Sequence, residues 1–176
     1  MPRMMAVFPD LPDTAALRVV VAEPALQAGF AADAVTAIMK LMQQFIREGR
    51  CTAAAVVSLE AGRFVLIAWA GPPLSGCSHD KFAHLLATFE SRSGCALLAP
   101  PPWAVGAPGA VRLVDRAGLK SGVASGEFSA ATPVWKVRAS SVGEWRSGPH
   151  ALLDAVKDTP LAGMFTIQTQ TPGVTV

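Results

Sequence analysis

The chain has 176 residues, of which 51% are hydrophobic, and a net charge of +2. That suits one domain of ordinary size, or one domain with a small appendage, and supports a sizeable core. With no basic block and no acidic tail, the charge pattern excludes the electrostatic footprint of a nucleic-acid binder. The longest uncharged stretch, Ser93 to Val111, holds four prolines and reads as a rigid loop, not a membrane span.

Cys51, Cys77 and Cys95 form no Cys-x-x-Cys pair, and the first ten residues lack a secretory apolar core. An odd number of thiols without a signal peptide points to a reduced, cytoplasmic protein. No spaced ligand set indicates a metal, and nothing calls for a cofactor.

In chain order, residues 1–16 carry Pro2, Pro9 and Pro12 and read as a loose arm. Leu17–Glu23 is β-branched and apolar and predicts a strand buried on both faces. Val35, Ile38, Met39, Met42, Phe45 and Ile46 form a helical stripe over about residues 32–48, with Gly49 suited to end it left-handed. Cys51–Glu60 predicts a strand of small and β-branched residues, and Gly62 a hairpin turn. Phe64–Ala70 is the most apolar strand of the chain. A second amphipathic helix carries Phe82, Leu85, Leu86 and Phe89 and stops near Gly94, and Ala96–Ala99 is a short strand before three prolines.

This order, β-α-β-β-α-β, is the ferredoxin-like pattern and predicts an α+β core over residues 15–105. Its first and third strands should be central, with Val19, Val21, Phe64, Leu66 and Ile67 buried. Ala110–Asp115 is the alternative to Ala96–Ala99 as fourth strand. Residues 106–176 read as a C-terminal extension: a helix from Leu113 to Ser125 weakened by Gly118 and Gly122, a turn over Gly126–Thr132, a strand over Val134–Arg138, a short helix over Leu152–Val156, and an exposed or disordered end.

The stretch that gathers chemistry is Gly71-Pro-Pro-Leu-Ser-Gly-Cys-Ser-His-Asp80, between the third strand and the second helix. First-turn N–H groups lack intrahelical partners and the dipole favours negative charge, so a thiolate or a bound small anion would be stabilised there. Ser75, Gly76 and Ser78 are the candidate binding residues. Cys77, His79 and Asp80 are the candidate catalytic ones if the protein is a thiol-dependent enzyme. Asp80 and His84 could pair at i, i+4, but Cys77 and His84 lie two turns apart, roughly 10 Å along a helix. A purely structural reading stands beside these: Ser78 caps the helix, Gly76 makes the turn, Asp80 complements the dipole and Cys77 fills a small core space. Gly71-x4-Gly76-Cys77-Ser78 has P-loop spacing, but Cys77 replaces the lysine that reaches the phosphates, and two prolines remove N–H groups that would cradle them.

Residues 17–99, centred on Ser75-Gly-Cys-Ser-His-Asp80, resemble a family of small uncharacterised bacterial proteins with a Ser-Gly-Cys-Ser-Ile-Asp motif. Some of its members are labelled ABC-transporter ATPases. Ser75, Gly76, Cys77, Ser78 and Asp80 match, and His79 departs from the isoleucine. The segment Leu119–Trp145, within 113–147, is similar to GYF-like modules in Ala124–Trp135 and Gly143-Glu-Trp145. That resemblance implies a protein or peptide partner met through an aromatic surface, with Trp135 and Trp145 as binding residues. The expectation is a binding or accessory protein, able to oligomerise, with an anion-receptive loop at 75–80.

Overall fold

The computed structural model describes residues 7–97 and 103–166. In chain order its elements are β1 (Ala16–Val21), α1 (Ala28–Arg47), β2 (Ala53–Leu59), β3 (Phe64–Ala70), α2 (Gly76–Ser93), β4 (Trp103–Val105), β5 (Arg112–Val114), α3 (Arg116–Ala124), β6 (Pro133–Val134), α4 (Val142–Arg146), β7 (His150–Ala151), α5 (Leu152–Val156), a 3-10 turn (Pro160–Ala162) and α6 (Gly163–Thr166). Helices combine with antiparallel sheets, so the fold is α+β. The chain divides into two compact units, one of residues 1–100 with 136–148 and one of residues 101–135 with 149–176. The first unit therefore takes in a segment from beyond the expected boundary at 105.

In the first unit the sheet order is β1-β3-β2, all antiparallel, with Val19 opposite Leu66 and Val57 also opposite Leu66. The first and third strands are adjacent, as expected. Alternation along a strand sends Val65, Ile67 and Trp69 to one face. They join Ile38, Met42 and Phe45 of α1 and Phe82, Leu86 and Phe89 of α2 in one buried cluster. The stripe on α1 repeats every three to four residues, so one side of the helix is apolar throughout. The helix ends where Gly49 takes φ +71°. At the β2–β3 turn Gly62 takes φ +86°, and a Cβ there would lie 2.1 Å from the Leu26 carbonyl oxygen.

The opposite face carries Phe64, Leu66 and Ala68, all buried. Trp145 packs edge-on against Phe64, with ring centroids 5.8 Å apart. Residues 7–15 also belong to this unit and are not a loose arm: Phe8, Leu11 and Ala15 are buried. Arg146 holds the segment by donating to the Leu11 carbonyl at 2.9 Å, to the Phe8 carbonyl, and to the Asp13 carboxylate at 2.6 Å. A five-donor guanidinium can satisfy several carbonyls of a segment with no regular structure of its own.

The outer edge of β1 is occupied at both ends. Leu17 N–H donates to the Ser140 carbonyl at 2.9 Å, and Glu23 and Ala96 exchange backbone bonds of 3.1 and 2.8 Å. Ala96 thus makes an isolated bridge, while Leu98 and Ala99 lie outside the described residues. The alternative fourth strand belongs elsewhere, since β5 pairs with β4 in a second sheet of order β5-β4-β6-β7. Val19 is half-buried, in contrast to the expectation: Ser140 and Ala96 bond the chain only near the two ends of β1, and Val19 lies between them.

The second unit has its own core of Val105, Leu119, Val123, Phe128, Val134, Leu152, Val156 and Leu161. The expected helix from Leu113 starts later, because Asp115 caps it by accepting from Gly118 N–H at 2.7 Å. Gly122 lets Phe128 close on that helix, since a Cβ would sit 2.2 Å from the ring. The strand expected over Val134–Arg138 stops at Val134, where the chain turns and Ala139 N–H bonds the Lys136 carbonyl. The helix at Leu152–Val156 is as expected, and the last ten residues lie outside the described part.

Candidate functional site

The start of α2 is set by how β3 leaves the sheet. Gly71 takes φ +116° so close to the Cys51 backbone that a Cβ would meet Cys51 Cα at 3.2 Å. Pro72 and Pro73 then carry the chain outward, and Leu74 anchors it again by burial. Ser75, in extended conformation, is the N-cap, and its hydroxyl accepts from Ser78 N–H at 3.4 Å. The helix thus begins one turn earlier than a Ser78 cap requires.

Ser78 has a different task. It is fully buried, and its Oγ lies 3.1 Å from Ser75 Oγ and accepts from Arg50 Nη1 at 2.8 Å. Arg50 follows the Gly49 turn at the end of α1, where its N–H bonds the Phe45 carbonyl at 2.8 Å. Its guanidinium lies 5.5 Å from the centre of the Phe45 ring, and its Nε pairs with Glu48 at 2.6 Å. The Gln44 amide, and then Arg50 and Lys81, hold the exposed Glu48 carboxyl below its ordinary value. Arg50 is a site residue that sequence reading missed. It lies 28 positions from Ser78, and only the meeting of the end of α1 with the start of α2 brings them together.

Ser75 O accepts from both Ser78 N–H and His79 N–H. The N–H groups of Gly76 and Cys77, first and second in the helix, make no hydrogen bond among the described residues. No acidic residue occupies the first turn, so Asp80 stands too far along to neutralise that end. Two free N–H groups, the exposed Ser75 side chain and the half-buried Arg50 therefore gather at one helix start.

Cys77, His79 and Asp80 are all exposed there. Cys77 is thus no filler of core space, whereas Cys51 and Cys95 are buried, and burial pushes the Cys51 thiol up. His84 stands on the rim of a groove between α1 and α2. Its carbonyl accepts from Thr88 Oγ1. Among the described residues no three His, Cys, Asp or Glu side chains gather as a metal site.

Both candidate indoles are buried: Trp145 in the first unit and Trp135 in the second, where its Nε1 donates to the Gly106 carbonyl at 2.9 Å. Neither presents an exposed aromatic surface, and the segment resembling a GYF module is shared between the two units. Trp69 Nε1 is buried without a hydrogen-bond partner among the described residues. On the same sheet face Arg18 lies 6.0 Å from the centre of the Phe82 ring, its partial burial lowering its pKa. No helix among the described residues is long and apolar enough to cross a membrane.

No protein-family model matches the chain, and no curated protein or solved structure matches it.

Proposed function

We propose that the protein is a binding or accessory protein whose receptive point for a small anion is the start of α2. The observation that carries this reading is the gathering of the unbonded Gly76 and Cys77 N–H groups with the Arg50 guanidinium, which a bond to buried Ser78 holds at the same end. An anion there gains the helix dipole and two backbone donors, beside a guanidinium that Ser78 holds in position and that Glu48 shares. The route to a nucleoside triphosphate is poor, because Cys77 stands at the lysine position of a P-loop and Pro72 and Pro73 supply no N–H. Calorimetric titration with inorganic phosphate tests the reading. Saturable binding that Arg50→Met weakens at least tenfold supports it, and heat of dilution alone overturns it.

A thiol-dependent activity is the second reading, favoured by the exposure of Cys77 at this helix end. No general base contacts Cys77 among the described hydrogen bonds, so His79 would have to reach it by a local rearrangement. We further infer a ferredoxin-like arrangement for the first unit, supported by the β1-β3-β2 order and the bridge of Ala96 beyond β1. Three free thiols favour a reducing, cytoplasmic setting.

A further inference from the structure

The two outer edges of the first sheet differ. Ser140 and Ala96 bond the chain at the two ends of β1, but β2 pairs with β3 alone among the described residues. Its sequence, Ala53-Ala-Ala-Val-Val-Ser-Leu59, contains no charge and no proline, and it runs in unbroken register with β3. A bare edge normally carries a lysine, a proline, a bulge or a cover, because its outward N–H and C=O groups template another strand. Among the described residues this one carries none over seven residues, a length of about 24 Å. All seven are half-buried.

We propose that β2 pairs antiparallel with β2 of a second copy of this chain, across a two-fold axis at Val56, joining two three-stranded sheets into one of six. The sequence is self-complementary about that residue. Ala53 falls opposite Leu59 and Ala55 opposite Val57, so small side chains meet larger ones, while Ala54 meets Ser58 and Val56 meets itself. Beside the Ser58–Gly62 end runs an apolar groove of about 850 Å³ lined by Leu26, Ala28, Ala31 and Val35, where the start of the second strand enters. A parallel in-register pairing would instead stack alanines on alanines, leaving gaps.

Two measurements on the full chain test this. Sedimentation equilibrium of the wild type should return about twice the 18.3 kDa chain mass, and Ala55→Lys, which sets lysines beside the axis, should return the monomer. Val56→Cys in a Cys77→Ser background should form an intermolecular disulfide on mild oxidation, because directly opposed residues fall within disulfide reach. Asp33→Cys, exposed on α1 and outside that groove, should not. A monomer at every concentration up to about 200 µM, or a dimer in which Val56→Cys does not cross-link, would overturn the proposal. The cross-link decides the matter even if Ala55→Lys fails to fold.

Discussion

Arg50 Nη1 donates to the buried Ser78 hydroxyl at 2.8 Å, fastening the loop after α1 to the first turn of α2. A hydrogen bond from a charged group contributes about 1.5–3 kcal/mol when shielded. The Arg50 side chain is 32% exposed, so solvent screening brings this to about 1 kcal/mol. Urea unfolding of Arg50→Met, Ser78→Ala and the double variant should show a coupling near that size. Additive effects would mean that the two residues act separately.

The Phe64–Trp145 contact makes the second face of the sheet part of the core. Trp145→Ala should cost about 3–5 kcal/mol by denaturant unfolding, the range for large aromatic truncations in a core. Arg146→Gln should expose residues 7–15 to limited proteolysis while leaving the sheet folded. A Trp145→Ala loss under 1 kcal/mol would show that the helix-covered face alone holds the unit.

Much of this was legible in the sequence. The strands at Phe64–Ala70 and Cys51–Glu60, the helix ended by Gly49 and the helix ended by Gly94 follow from periodicity and from the conformational freedom of glycine. The second cover was not read, although its signal was present. Phe64 to Trp69 is apolar without alternation, which requires burial on both faces, and two helices on one face satisfy only half of that requirement. What no local pattern announces is which distant segment supplies the other half: Val142 and Trp145 lie more than seventy residues on. Arg50 was hidden for the same reason. At the site itself the sequence reading puts the cap at Ser78, whereas the extended backbone at Ser75 and its bond from Ser78 N–H make Ser75 the cap.

Glycine geometry separates two substitutions that look alike on paper. Gly62→Ala sets a Cβ 2.1 Å from the Leu26 carbonyl oxygen at φ +86°, and should cost at least about 2 kcal/mol. Gly76→Ala meets nothing within 4 Å and should be tolerated, since alanine favours helix over glycine by up to about 1 kcal/mol. Melting temperatures of the two variants check both signs.

Thiol accessibility divides the cysteines. Native protein treated with iodoacetamide near neutral pH should be alkylated at Cys77 alone, and at Cys51 and Cys95 only after denaturation. Burial raises the Cys51 pKa, so the folded state holds that proton more tightly than the unfolded chain. Its contribution to stability is present below the ordinary value of 9.0 and is lost as pH rises through the raised one. Cys51→Ala should therefore flatten the alkaline limb of the stability profile. Mass spectrometry finding Cys51 labelled in native protein would contradict this packing.

The most direct test of the receptive helix start is an NMR titration of labelled protein with inorganic phosphate, following the backbone amides of Gly76 and Cys77. Saturable downfield shifts at these two amides, lost in Arg50→Met, are the predicted result. Unmoved amides at millimolar phosphate, or shifts unchanged by Arg50→Met, would contradict it.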